Sequence, residues 1–383
     1  MDPLAHTLAG AALAETRLAR RPDGSRLPLA TATLLVAANL PDVDVFSYVR
    51  GDDFALGFRR GWTHGVLAMV VLPLVLWGVL LAWQRWVRRP RGTPPAPAGR
   101  LLFLAYVGVL SHPLLDWLNV YGVRLLMPFS GRWFYGDAVF IVDPWIWLVL
   151  GSAVYLARRP HPWSGRAFWA ALAGVASYAL VTRGVDPSSP GGRVALAVWG
   201  GGLLLTVALA LSDRRPSTKR GPRLAAGALA AVALYAGAMA VYTQLARRQV
   251  TTELARRGVE LVDGRRPGGA YRLMVAPVPV DPLRREVVAV TPRSYWTGRF
   301  DLRSEPWLTA GTELPRDHTG SEAPELLRRA LTRPEVAGFA DWVRFPWLEA
   351  EPVPGGGTRV WLMDVRYTRR PTDGFGGAVV ELE

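Results

Sequence analysis

Three histidines and three aspartates fall inside or at the ends of apolar segments. His6 lies in MDPLAHTLAG, Asp42 and Asp44 in NLPDVD, His64 in RRGWTHG, and His112 and Asp116 in SHPLLD. An ionisable group in such a segment is costly unless it has a partner, so these six mark a site. His112 and Asp116 are four residues apart, which stacks them on one helical face. Asp42 and Asp44 are two apart in a proline-led turn, where both carboxylates can address one ion. Imidazole with carboxylate suits a divalent metal, Zn²⁺ first, with Mn²⁺ or Fe²⁺ as alternatives. The chain has no cysteine, which excludes thiolate zinc sites and disulfides. Six ligands suffice for one ion or for two, and two ions about 3.5–4 Å apart can clamp a phosphoryl oxygen. The expected chemistry is hydrolysis by metal-activated water. Asp44 or Asp116 would take the proton, and Arg60 and Arg124 would anchor a phosphate through the guanidinium fork.

Each residue also has a plainer explanation. His6 could be a helix-end residue, Asp42 and Asp44 turn formers, and His64 an interfacial ring. His112 could bond a carbonyl freed by Pro113. Arg60 and Arg124 could snorkel to the interface. Asp143, in VDPWIW, could orient a ligand from behind or cap a helix ahead of Pro144. Asp116 is the hardest to explain away, because a carboxylate in an apolar span needs a counter-charge.

The elements that would hold these residues are membrane helices. Half of the 383 residues are hydrophobic, and they concentrate before about residue 246. Six runs approach the length needed to cross a bilayer of about 30 Å. They are Trp62–Trp86, Leu101–Val120, Ala138–Ala157, Ala167–Val181, Val194–Leu211 and Leu224–Leu245. Two shorter helices, Leu4–Leu18 and Leu27–Leu40, precede them. The amino terminus lacks the cationic start of a cleaved signal peptide.

The net charge of +14 invites a nucleic-acid reading, but the arginines sit in short loops, where they act as orientation signals. The loops at 17–26, 85–100, 158–166 and 214–223 hold 17 basic residues, against 7 in those at 50–60, 124–132 and 183–193. The basic set belongs in the cytoplasm, so the N-terminus and the C-terminal domain lie outside. His112 and Asp116 then fall about 18 and 24 Å along their span from Arg100, in its outer half. All six His/Asp residues thereby meet one face of the membrane, which favours a lipid or lipid-linked phosphoester as substrate and membrane lipid as partner, with no nucleic acid.

At this point a family resemblance enters. HTLAGAALAE, NLPDVDVFSY, RRGWTHG and SHPLLDWLNVYGVRLLMPFSGRWFYGDAVFIVDP resemble, in order and spacing over about residues 1–150, the YdjM-like family of bacterial inner-membrane proteins, to which metal-dependent hydrolysis is ascribed. The resemblance implies metal ligation by Asp42, Asp44, His64, His112 and Asp116, with His6 in the N-terminal motif. It also implies a distant likeness to helical zinc-dependent phospholipases C. One position departs: the family usually has His-Arg-Gly before the Thr-His pair, and this chain has Arg59-Arg60-Gly61, so a second ion is one ligand short.

Beyond residue 246 the sequence changes character. YRLMVAPVPV, REVVAVTPRSYWTGRFDL, TRVWLMDVRYTRR and GAVVELE read as strands, and SEAPELLRRALT as a helix with Pro324 in its first turn. Tyr295, Trp296, Trp307, Trp342 and Trp347 read as packing residues, and His318 as solvent-exposed. The expected fold is mainly α: a polytopic helical membrane bundle (1–246) with a C-terminal extracytoplasmic α+β domain (247–383) that covers the site. Two rivals to the hydrolase are an ion- or proton-coupled transporter and a non-catalytic protein whose metal staples short helices. Oligomeric state is not readable.

Overall fold

A computed structural model describes residues 1–88, 91, 94–158, 163–212, 220–262, 272–316, 322–354, 356–372 and 375–383. His318 lies outside the described residues.

The first helix, α1 (Pro3–Glu15), starts where Asp2 accepts a hydrogen bond from the Ala5 amide at 3.0 Å and Pro3 fills the first turn. It is buried on nearly every side, which suits its run of alanines. Helix α2 (Ala30–Asn39) passes into a 3₁₀ segment, Leu40–Arg50, that carries Asp42 and Asp44, and a short α3 (Asp52–Phe58) follows. Then come α4 (Val66–Trp83), extended by a π-helical turn to Arg88, and α5 (Ala98–Trp117). Glycine decides how closely α1, α2 and α5 meet. A Cβ on Gly10 would fall 2.8 Å from the Leu34 carbonyl oxygen, and one on Gly108 would fall 2.5 Å from the Ala37 Cβ. Small residues at these crossings let the backbones touch, as membrane helices require when no hydrophobic force drives them together. That close approach is what gathers His6, Asp42 and His112.

Helices α6 (Pro144–Arg158), α7 (Trp163–Ala179), α8 (Pro190–Ser212) and α9 (Arg220–Arg256) complete the helical part. Four segments are long and apolar enough to cross a membrane: Val66–Arg88, Ala98–Trp117, Pro190–Ser212 and Arg220–Arg256. Of the six runs that approach spanning length in the sequence, four correspond to described helices that meet both criteria of length and apolarity on their own. At about 1.5 Å per residue, the 15 residues of α6 reach only about 22 Å. The apolar stretch before it, residues 138–142, is loop, and its Val139 and Ile141 enter packed cores there. Asp143 starts the helix by accepting from the amides of Trp145 (3.0 Å) and Ile146 (3.3 Å), so it is a cap and does not face the metal ligands.

Helix α9, with 37 residues, is about 55 Å long and outreaches any bilayer. It runs unbroken through the expected domain boundary at 246. Its Ala246, Val250 and Leu254 pack against β1 (Leu273–Pro277) and β2 (Arg285–Val290). With β3 (Ser294–Phe300) and β4 (Thr312–Pro315) these form an antiparallel meander. Helices α10 (Ala323–Leu331) and α11 (Ala337–Trp342) lead to a second antiparallel sheet of β5 (Pro346–Pro352), β6 (Thr358–Asp364) and β7 (Gly377–Leu382). The α+β expectation is met; β4 and β5 were not anticipated. REVVAVTPRSYWTGRFDL is a hairpin, β2 pairing β3, because Thr291 and Ser294 close a turn inside it. Tyr295, Trp296, Trp342 and Trp347 are buried, as packing residues should be.

This domain sits directly on the bundle. The loop between α5 and α6 contributes Tyr121 and Trp133 to the core around Trp342, and Asp53 of α3 accepts from the amides of Gly338 and Phe339, both at 2.8 Å. Arg366 donates to the Val120 carbonyl at 2.9 Å.

Candidate metal centre

Four chain segments deliver the six sequence-marked residues to one end of the bundle. His6 comes from the first turns of α1, Asp42 and Asp44 from the 3₁₀ segment, His64 from the turn before α4, and His112 and Asp116 from the last turns of α5. The last two share a face, as their spacing requires. Five of the six are at most 1% exposed; Asp42 alone reaches the surface, its side chain 18% exposed.

Two imidazoles and two carboxylates converge. His64 Nε2 lies 3.1 Å from His112 Nε2, 3.3 Å from Asp116 Oδ2 and 4.0 Å from Asp42 Oδ1. His112 Nε2 lies 3.6 Å from each of the same two oxygens. A tetrahedral zinc ion with bonds of about 2.0–2.1 Å holds its donor atoms about 3.3–3.4 Å apart. The edges of the His64–His112–Asp116 triad, 3.1–3.6 Å, bracket that value. His6 stacks on His112 with ring centroids 3.6 Å apart, places Nε2 3.2 Å from Asp116 Oδ1, and completes a second group with Asp42 and His112. Among the six residues, Asp116 Oδ2, which is held only by ion pairs, and His6 Nδ1 are buried without a well-aligned hydrogen bond. Buried polar atoms in that condition call for an explanation. The donor set and the orphaned atoms both fit a divalent cation.

The surroundings fix which ring nitrogen faces the centre. His112 Nδ1 lies 2.7 Å from the Ala38 carbonyl oxygen, which can only accept, so Nδ1 carries the proton and Nε2 turns inward with a lone pair. The expected carbonyl freed by Pro113 in the same helix is not its partner; the bond crosses to α2. His64 Nδ1 meets Thr63 Oγ1 at 2.9 Å and Asp44 Oδ2 at 3.4 Å, while Thr63 donates to Asp44 at 3.2 Å. This is the carboxylate-behind-histidine arrangement that orients metal ligands. Asp44 therefore backs His64 and does not share an ion with Asp42, contrary to the sequence reading. The 3₁₀ twist of the segment turns two carboxylates two residues apart in different directions.

The phosphate-anchor reading of Arg60 and Arg124 is also corrected. Arg60 Nε lies 3.2 Å from Asp116 Oδ2, Nη1 donates to Asn119 Oδ1 at 3.0 Å, and Nη2 donates to the Met1 carbonyl at 3.1 Å. Its plane lies 4.6 Å from the Tyr121 ring. A guanidinium so occupied clamps Asp116. Arg124 is buried, donates to the Gly57 carbonyl and stacks on Trp133. The amino nitrogen of Met1 also contacts Asp116. Sequence reasoning missed Thr63, Asn119 and Arg59. The first sits in the quoted Thr-His pair and the second three residues after Asp116. Only contacts from distant segments reveal their work.

A buried, under-bonded His/Asp centre at one end of a helical bundle, capped by a small β-rich domain, defines a class of membrane protein with a polar interior site. Residues 1–186, just under half of the chain, match the family model described as YdjM inner membrane protein, so the membrane part is similar to that family. The chain is also similar to the uncharacterized protein YfhP of Bacillus subtilis (strain 168), 24% identical over 151 residues, which is 39% of this chain and 43% of that protein. The match thus spans less than half the length of either. No solved structure matches.

Proposed function

We propose that this inner-membrane protein is a metal-dependent hydrolase acting on a phosphoester of a lipid or lipid-linked substrate. The observation that carries the reading is a buried cluster without thiolates in which His64 Nε2, His112 Nε2 and Asp116 Oδ2 lie 3.1–3.6 Å apart, with Asp42 Oδ1 3.6 Å from His112 Nε2 and 4.0 Å from His64 Nε2. A divalent cation held there, zinc first, supplies Lewis acidity toward a phosphoryl oxygen and lowers the pKa of water. The chain supplies the rest. Ala38 and the Thr63–Asp44 pair hold the two imidazoles in the tautomer that points Nε2 inward. Arg60 pins Asp116 through its Nε. Asp42 is the one carboxylate that touches both the cluster and solvent, so its Oδ2 is the exit for a proton released inside. That role replaces the one expected of Asp44 or Asp116.

The arginine distribution supports an extracytoplasmic location for the centre, and the packing of the C-terminal domain on the same end of the bundle makes the two share a side. The chain has no native cysteine, so single introduced cysteines at Ser130 and Ser188 report sidedness cleanly with an impermeant label.

Elemental analysis of the detergent-purified chain beside Asp42→Ala, with hydrolysis of a phospholipid panel, tests the proposal. About one equivalent of metal in the wild type, lost in the variant together with hydrolysis, is expected. Wild-type protein free of metal after growth in zinc and manganese would end it. A purely structural cation is the second reading, favoured by the near-complete burial of the ligands; it predicts metal without turnover and a folding defect in Asp42→Ala.

A further inference from the structure

Among the described residues, Arg59 stands beside Asp42, the one carboxylate of the centre that reaches the surface. Its side chain is 24% exposed beside Asp42, whereas the other ligands are sealed. Its contacts are long: Nη2 is 4.0 Å from Asp42 Oδ1, Nε 3.4 Å from Asp44 Oδ1, and Nη1 3.4 Å from the Tyr48 hydroxyl. All lie beyond the usual 2.7–3.2 Å range for N–H···O bonds, in contrast to the 3.0–3.2 Å contacts of Arg60. The 3₁₀ segment that carries Asp42 and Asp44 inward turns Phe46 (74% exposed) and Val49 (87%) outward, and Trp62, three residues after Arg59, is exposed as well. One guanidinium beside an acidic mouth, on a segment with a bare apolar face, matches an amphiphile whose tail stays in lipid while its head carries an anion. A planar fork held this loosely can exchange its partners for the two oxygens of a phosphate, which it binds bidentately.

We propose that Arg59 is the phosphate-reading residue of the centre and that its ligand is the phosphoryl group of a membrane-embedded lipid. The substrate class rests on the hydrolase reading; the binding itself does not. Asp42 and Asp44 repel an anion, so Arg59 supplies the local positive charge that makes the mouth permissive before any cation is bound.

The test uses the full chain in detergent, stripped of metal by chelator, titrated calorimetrically with dihexanoyl phosphatidic acid and separately with inorganic phosphate. Wild type is expected to bind the lipid phosphate, Arg59→Gln to bind it at least tenfold more weakly, and Arg59→Lys to fall between, since a point charge keeps attraction and loses the fork. Unchanged thermal midpoints and unchanged metal content on reloading separate this from misfolding and from ligand loss. Binding by Arg59→Gln within twofold of wild type, or no binding of either probe by wild type, overturns the proposal. Inorganic phosphate bound as tightly as the lipid overturns the lipid assignment. A wild-type chain that takes up no metal ends the hydrolase reading and leaves this result standing.

Discussion

Asp116 and Asp137 are both fully buried carboxylates at the same end of the molecule, and their company differs. Asp137 meets Arg344 through two parallel bonds of 2.9 and 3.0 Å and contacts Arg247, while its own carbonyl accepts from Thr243 at 2.9 Å. Burial pushes its carboxyl up, but the two guanidinium groups beside it more than offset this and hold it below the usual carboxylate range. Both of its oxygens are satisfied. Asp116 has one arginine, the amino nitrogen of Met1 and three imidazoles around it, and one of its oxygens remains without a well-aligned bond. A carboxylate saturated by permanent cations is a staple, here between the bundle and the C-terminal domain. A carboxylate among imidazoles that turn their ring nitrogens toward it can take a cation. Burial alone does not distinguish them; the partners do.

Experiments can press on that contrast. The largest effect is expected at the staple: Asp137→Ala strands Arg344 and Arg247, and breaking a buried pair costs about 3–5 kcal/mol. The C-terminal domain should then be cut by protease well below the wild-type midpoint. If Asp137→Ala leaves protease resistance intact, the staple is not what holds the domain. At the centre, His112→Ala should abolish stoichiometric metal uptake. Because it also leaves the buried Ala38 carbonyl unpaired, the metal-free protein should lose about 1–3 kcal/mol, less than at the staple. Equal losses of stability at both places would erase the distinction. Asp44→Asn removes the charge behind His64, together with the one facing Arg59, and should weaken metal affinity about 10–100-fold, measured by competition with a chelator. Thr63→Val, which keeps Asp44, should fall short of that. Acid gives the mildest test. A carboxyl with a lowered pKa in the folded state stabilises fully above its unfolded value of about 3.9 and loses that contribution as pH falls through the lower folded value. Docking of the domain, read by protease sensitivity, should therefore hold from pH 7 to about 4 and loosen only below.

Much of this was legible in the chain. His6, Asp42, His64, His112 and Asp116 stood out because an ionisable group in an apolar run has few other excuses, and the interval between His112 and Asp116 maps onto one helical face without knowledge of the fold. The strands around Val275, Val288, Val360 and Val380 were visible by alternation, and the family motifs by their order. The apolar stretch 138–142 misled, because hydropathy does not separate a span from a loop packed into a domain core.

Local patterns reach only a few residues along the backbone, and within that reach the sequence settles which groups are costly to bury and which face of a helix carries them. Which nitrogen of His64 or His112 points inward, why Asp44 stands behind a ligand while Asp42 opens to solvent, and that Arg60 is spent while Arg59 is loosely held all depend on Ala38, Thr63, Asn119 and Met1 arriving from elsewhere. Apart from Thr63, which is next to His64 in the chain, these are contacts between distant segments, and the packing of α1, α2 and α5 across Gly10 and Gly108 brings Ala38 and His112 within bonding distance.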